Sequence, residues 1–344
     1  VTRYDLSRDQ LRELLGDQPR FRVDQIWHGL YKEFVDPADL TTLPAALRTE
    51  IADRGEFQPA LKSVTESVSD NGDTVKVLSE LHDGKRIETV LMHYSNRSTV
   101  CISSQAGCAM DCSFCATGQA GFDRQLTVGE IVEQYVAAQQ RAGNRRVDNI
   151  VFMGMGEPLA NFNRLWQAIE RLHFDIGLSA RNITVSTVGV VPGIKKLTGS
   201  GLPVNLAVSL HAANDELRNS LVPLNKRYPL SVLIDACREY FDTTRRRISF
   251  EWALIEDTND RQSDAVELAE IALGVGAHVN LIPLNPTPGY LVKGSSRQAV
   301  QAFADKLEDL GVNVTIRDTR GSDIDAACGQ LASRNQPLTL GPRR

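Results

Sequence analysis

No stretch of this 344-residue sequence approaches the run of about 20 apolar residues that a membrane-spanning helix needs. The opening residues, Val1 to Arg12, are charged from the outset and lack the apolar centre of a secretory signal, so a cytoplasmic protein is expected; Val1 stands where a start methionine would be. Low-complexity tracts and internal repeats are absent, which excludes solenoids and long disordered arms. A basic excess is missing too: the net charge is −5, so any electrostatic grip on nucleic acid is a local one. Arg245-Arg246-Arg247, Lys195-Lys196 and Lys226-Arg227 are the candidate patches, and each also reads as a solvated loop or helix end. Cysteines number six, spaced too unevenly for a disulfide framework. Cys108, Cys112 and Cys115 lie together, Cys101 is just upstream, and Cys237 and Cys328 are far away, a pattern that suits a metal site in a reducing compartment. A chain of this length, 42% hydrophobic, buries a self-sufficient core without staples.

From about Val100 onward, short β-rich runs alternate with helical patterns, which predicts parallel strands joined by crossover helices. Strands are read at Thr99 to Ser103, Asn149 to Met153, Asn182 to Ser186, Pro203 to Val208, Arg247 to Leu254, His278 to Ile282 and Val312 to Ile316. Helical stretches include Thr127 to Arg141, Asn163 to His173, Leu230 to Phe241, Asp264 to Leu273 and Ser296 to Leu310, the first opened by a capping box of Thr127 and Glu130. The cysteine group follows the first strand, Gly154-Met155-Gly156-Glu157-Pro158 the second, Thr187-Val188-Gly189 the third, Ser209-Leu210-His211 the fourth and Pro283-Leu284-Asn285-Pro286 the sixth. In a partial barrel all of these converge on the carboxyl-end rim, where ligands bind. The expected fold is α/β, a partial (β/α)6 barrel over residues 98–320. It is preceded by a helical accessory domain (1–58) and a β-extension (59–97) with a hairpin at His82-Asp83-Gly84-Lys85, and followed by a C-terminal segment (321–344).

The three clustered thiols are separated by three and two residues, so one loop can wrap them round an iron–sulfur cluster and leave one iron open. The competing reading is structural zinc, which wants a fourth ligand that the loop does not offer. Gly154 and Gly156 are read as letting the backbone approach a ligand, with Glu157 facing an ammonium; the plainer reading is a tight turn. A lone cysteine such as Cys328 is usually a small core residue, yet this one sits in Ala326-Ala327-Cys328-Gly329, shortly after Arg317, in what reads as a mobile, reactive loop near cations. Cys237, inside a helical run, has only the core reading.

Cys108-Ala-Met-Asp-Cys112-Ser-Phe-Cys115 resembles the signature of radical S-adenosylmethionine (SAM) enzymes. With Ile87-Glu88-Thr89-Val90, Cys101 to Cys108, the Gly-Met-Gly-Glu-Pro run, Ser186-Thr187, Ser209-Leu210-His211, Ile282 to Pro286 and Gly321 to Leu331, it resembles the RlmN family of adenine-C2 methyltransferases acting on 23S rRNA and tRNA. The resemblance implies that Cys108, Cys112 and Cys115 hold one 4Fe–4S cluster, and that Gly156, Glu157, Ser186, Ser209, Leu210, His211 and Asn285 bind SAM, of which two are used per turnover. It further implies that Cys328 is methylated and carries the carbon to the base, that Cys101 forms a disulfide with Cys328 to release the product, and that Glu88 accepts the ring proton. A flavodoxin- or ferredoxin-type electron donor, a monomer and no membrane partner are expected. The alternatives are a Cfr-like enzyme acting on carbon 8 of the same rRNA adenosine, a radical SAM enzyme that modifies a peptide or small molecule, and a metal-stabilised RNA-binding protein without catalysis.

Overall fold

The computed structural model describes residues 1–285, 287, 292–318 and 320–331; Pro286 and the part of the C-terminal segment beyond 331 lie outside them. The amino-terminal part forms α1 (Arg8–Leu15), α2 (Phe21–His28) and α3 (Ala45–Asp53), with the polar stretches Gly16 to Pro19, Asp36-Pro37 and Thr41 to Pro44 between them. Three strands follow, β1 (Lys62–Ser69), β2 (Thr74–Glu80) and β3 (Arg86–His93). The strands β4 (Ser98–Cys101), β5 (Gln105–Gly107) and β6 (Phe122–Gln125) bracket the cysteine loop and the short α4 (Ala116–Ala120).

The remainder alternates as predicted: α5 (Val128–Ala142), β7 (Asn149–Phe152), α6 (Phe162–Glu170), β8 (Ile183–Thr187), α7 (Val191–Thr198) and β9 (Asn205–Ser209). Then come α8 (Asp215–Leu221), α9 (Leu230–Thr244), β10 (Ile248–Leu254), α10 (Gln262–Gly274), β11 (His278–Pro283), α11 (Arg297–Asp309) and β12 (Val314–Ile316).

Among the described residues, ten strands form one sheet in the order β1-β2-β3-β4-β7-β8-β9-β10-β11-β12. The strands from β4 through β12 in that order run parallel, because a helix returns the chain after each. The first four pair antiparallel, so the β-extension continues the barrel sheet instead of standing apart from it. The two edges, β1 and β12, do not pair with each other, which leaves an open, partial barrel. Parallel strands covered on both faces should read as near-continuous apolar runs. In β8 the residues alternate instead, Ile183, Val185 and Thr187 being buried while Thr184 and Ser186 are only partly so, as a barrel with a polar lumen requires.

The capping box is present: Glu130 N donates to Thr127 Oγ1 (3.2 Å) and Thr127 N to Glu130 Oε2 (2.9 Å). The amino-terminal helices share the barrel's core, with Tyr4, Trp27 and Tyr31 in the same apolar cluster as Ile131 and Tyr135. Two of the basic clusters end helices: Lys195 and Lys196 lie in the last turn of α7 and Arg245 caps α9, where cations complement the helix dipole. No described helix is long and apolar enough to cross a membrane.

Candidate functional site

Each carboxyl-end loop is set in place by buried hydrogen bonds from its neighbours. Gln134 of α5 accepts from Ser103 N (2.8 Å) and donates to Ser103 O (3.0 Å), pinning the chain as it leaves β4. Ser103 Oγ in turn donates to Glu88 O (2.7 Å) and accepts from Met155 N (2.9 Å), and Gln105 Oε1 accepts from Glu157 N (2.7 Å). The Gly-Met-Gly-Glu-Pro run thus lies against the segment Ile102 to Gln105. Its two glycines, read as letting the backbone approach a ligand, line the cavity described next. They also permit a close approach within the chain: a Cβ on Gly154 would sit 2.7 Å from the Ile102 carbonyl, and one on Gly156, at φ +99°, 2.4 Å from Gln105 Cβ.

One cavity of about 150 Å³ is lined by Cys108, Cys112, Cys115, Gly156, Glu157, Ser186, Ser209, His211, Asn285, Arg317 and Cys328. Of the residues expected to meet there, Leu210 is buried behind the wall and Glu88 lies elsewhere. A second, smaller cavity is lined by Cys101, Met153, Asn285, Arg317, Ala326, Ala327 and Cys328. Cys328 therefore stands in the partition, with the cysteine trio on one side and Cys101 on the other. Glu88, on β3 and buried, faces Lys76 Nζ at 3.1 Å, and Lys76 also reaches Asp325 O (3.2 Å), three residues before Cys328.

The loop carrying Cys328, read from its small residues as mobile and reactive, makes hydrogen bonds on both flanks. Arg320 Nη1 donates to His93 O (2.9 Å) and its guanidinium stacks over Tyr94, while the Ser69 hydroxyl donates to Asp323. Opposite, Ala116 N donates to Gly329 O (2.7 Å), Thr117 Oγ1 to Leu331 O (2.6 Å) and Asn285 Nδ2 to Cys328 O (3.2 Å).

Burial governs the electrostatics. It pushes the Cys108 thiol up to about 12 and Cys112 well above its usual range, so neither ionises unless a positive group joins it. Burial likewise raises Glu157 to about 7, against hydrogen bonds from Val188 N (2.9 Å) and Leu159 N (3.1 Å). His211, at φ +60°, is driven down to about 3 and stays neutral; its Nδ1 accepts from Ala253 N (3.0 Å), which puts the ring proton on Nε2. No three His, Cys, Asp or Glu side chains among the described residues are grouped to hold a metal ion. The cysteine trio instead lines a shared cavity. Spaced sulfur donors and room for more than one atom suit a multi-atom iron–sulfur group better than a single zinc.

The sequence reading missed Gln105, Gln134 and Arg218, which act on backbone groups. Arg218 left one signal, its place three residues before Leu221 on the inward side of a short helix.

The chain was compared with known proteins. Residues 102–269 match the family model of the Radical SAM superfamily. A probable dual-specificity RNA methyltransferase RlmN of Corynebacterium diphtheriae is 48% identical, over 96% of this chain and 93% of that protein. The protein of the same name from Mycolicibacterium smegmatis is 49% identical over 92% of this chain and 90% of its own length. The crystal structure of a radical SAM methyltransferase from Sphaerobacter thermophilus superimposes with a TM-score of 0.94 at 47% identity, covering 97% of this chain and all of that one.

Proposed function

The chain belongs to the RlmN family of radical SAM RNA methyltransferases, and on that premise we propose that it methylates carbon 2 of adenosine in 23S rRNA and in tRNA through a methylated Cys328. The observation that carries this reading is the partition: Cys328 lines the cavity of the cysteine trio and also the cavity of Cys101.

Cys108, Cys112 and Cys115 would hold the 4Fe–4S cluster, and Glu157, with Gly156, Ser186, Ser209, His211 and Asn285, would hold SAM, Leu210 backing that wall of the cavity. When bound there, these groups supply a methyl group and the one-electron chemistry that makes a hydrogen-abstracting radical. Two SAM molecules are consumed per turnover. The protein's own part is to deliver the carbon. Carbon 2 of adenine is electron-poor and cannot attack a methyl sulfonium as a nucleophile, so a thiol accepts the methyl first. Asn285, bonded to the Cys328 carbonyl, sets that thiol at the cavity wall.

Afterwards Glu88, which lies outside both cavities beside Lys76, would receive the ring proton; Cys101 would give up its thiol proton and bond to the Cys328 sulfur as the Cys328 S–C bond breaks, and the electron pair of that bond would go to the carbon, which takes a proton and leaves as the product's methyl group. Burial holds the Cys101 thiol at about 12, which keeps it from competing for methyl while protonated. A flavodoxin- or ferredoxin-type protein supplies electrons to the monomeric enzyme in the cytoplasm. The base would have to leave its stack to reach a cavity at the strand ends.

The test is an anaerobic reaction of reconstituted enzyme with an rRNA fragment and with tRNA, followed by nuclease digestion and mass mapping. Wild-type protein should yield 2-methyladenosine in both and Cys328→Ala none. Finding only 8-methyladenosine, or full transfer by Cys328→Ala, would overturn the reading.

A further inference from the structure

Helix α8 carries a guanidinium that hydrogen-bonds to no carboxylate among the described residues. Arg218 is 1% exposed. Its Nε donates to Leu210 O (3.0 Å), Nη1 to Asn225 Oδ1 (2.7 Å), and Nη2 to Val188 O (2.7 Å) and Ser209 O (3.2 Å). All four acceptors are neutral. The nearest negative charge along this network is Asp215, which accepts from Asn225 Nδ2 (2.8 Å) and so stands one amide away. A buried cation without a counter-charge is expensive, and hydrogen bonds to carbonyls offset only part of that cost.

The helix that carries Arg218 packs against the cysteine loop. Leu217 and Leu221, which flank Arg218 on α8, pack in one apolar cluster with Cys112, Phe114 and Val188. Leu221 O accepts from Ser113 N (3.2 Å), so the helix end is tied directly to the cysteine loop. Burial brings Arg218 itself down to about 10, which leaves it charged at neutral pH. An iron–sulfur cluster on three thiolates is an anion in both of its working oxidation states, and more so when reduced.

We propose that Arg218 is a positioning residue for the radical chemistry: its fixed charge raises the reduction potential of the cluster, and its fork fixes the carbonyl ends of β8 and β9 beside the SAM pocket. The first role follows from Coulomb's law, since a buried cation favours the more negative, reduced cluster. The second follows from the shape of the group. Three carbonyls from two successive strand ends converge on one planar fork, and a lysine ammonium could not reach all of them in that arrangement. Both roles rest on the cluster reading given above.

The test is a redox titration, followed by electron paramagnetic resonance, of the full reconstituted chain without SAM. In Arg218→Gln, one-electron reduction should become about tenfold less favourable, a potential lower by about 59 mV. The exchange Asp215→Asn with Asn225→Asp keeps the guanidinium but seats a carboxylate against it, and should move the potential the same way by about threefold. Arg218→Lys should hold the potential within about twofold of wild type yet bind SAM at least about tenfold more weakly.

Wild-type potentials in both Arg218→Gln and the exchange variant would overturn the charge role. Should Arg218→Gln fail to load iron, the exchange variant decides alone. Unchanged SAM binding in Arg218→Lys would overturn the fork role. Wild-type protein that takes up no iron or sulfide would bring down the cluster reading and this one with it, whereas loaded protein with an unmoved potential defeats only this one.

Discussion

Raising the pH should loosen the cluster-free protein through one side chain. Glu157 is buried, and its pKa moves from an ordinary 4.5 to about 7 because burial penalises the charged form more than its hydrogen bonds favour it. The folded chain therefore holds this proton more tightly than the unfolded chain does. The stability so gained is whole below pH 4.5 and is lost as pH rises through 7. At about 1.36 kcal/mol per pH unit the gap amounts to about 3 kcal/mol, of which about 1 kcal/mol falls between pH 6 and 8. Glu157→Gln cannot titrate. Its unfolding free energy, subtracted from that of the wild type, should therefore drift by about 1 kcal/mol across that interval, with the wild type losing ground at high pH. The amide also leaves one of the two backbone donors, Val188 N or Leu159 N, without its carboxylate oxygen, but that cost is constant with pH and cancels from the slope. His211 works in the opposite sense: burial lowers it to about 3, so its contribution is lost as pH falls below about 6.5, equally in both chains. Urea unfolding followed by tryptophan fluorescence, anaerobically and with reduced thiols, reads the difference. A flat difference from pH 6 to 8 would refute the assignment to Glu157.

Three further outcomes can be checked together. Iodoacetamide at pH 8 should label half-buried Cys328 at least about tenfold faster than Cys101, whose burial holds the thiol at about 12, as peptide mass mapping will show. Gly156→Ala should cost about 2 kcal/mol in urea unfolding, because the backbone is at φ +99° and the new methyl would meet Gln105 at 2.4 Å. Cys237→Ala, in the core of α9, should lower stability by about 1 kcal/mol and leave methyl transfer to RNA unchanged in a product assay.

Much of this architecture was legible because barrel strands and their helices are long enough to carry a period. The strand read as Asn149 to Met153 ends one residue earlier, and the helix read from Leu230 runs to Thr244. What was not singled out is short or made by tertiary pairing. Helix α7 spans eight residues and contains both Pro192 and Gly193, while α8 spans seven, too few for a helical period to declare itself. Strands β5 and β6 exist because Gln105 and Ala106 meet Gln125 and Arg124 across the cysteine loop, a pairing no local pattern announces. Among the site residues, the cysteine spacing and the strand-end motifs were visible as types and positions. Arg218 was not, since its partners are carbonyls of Val188, Ser209 and Leu210, and a carbonyl leaves no trace in the identity of the residue that bears it. The two-sided anchoring of the Cys328 loop was hidden for the same reason.

That anchoring, together with the partition it creates, imposes a timetable. On the reading proposed above, a residue that borders two chambers serves them in turn, so what happens on its two sides would alternate. Such a turnstile would need no separate timing device, and its bearings run from Ser69 and Lys76 on one flank to Ala116 and Asn285 on the other.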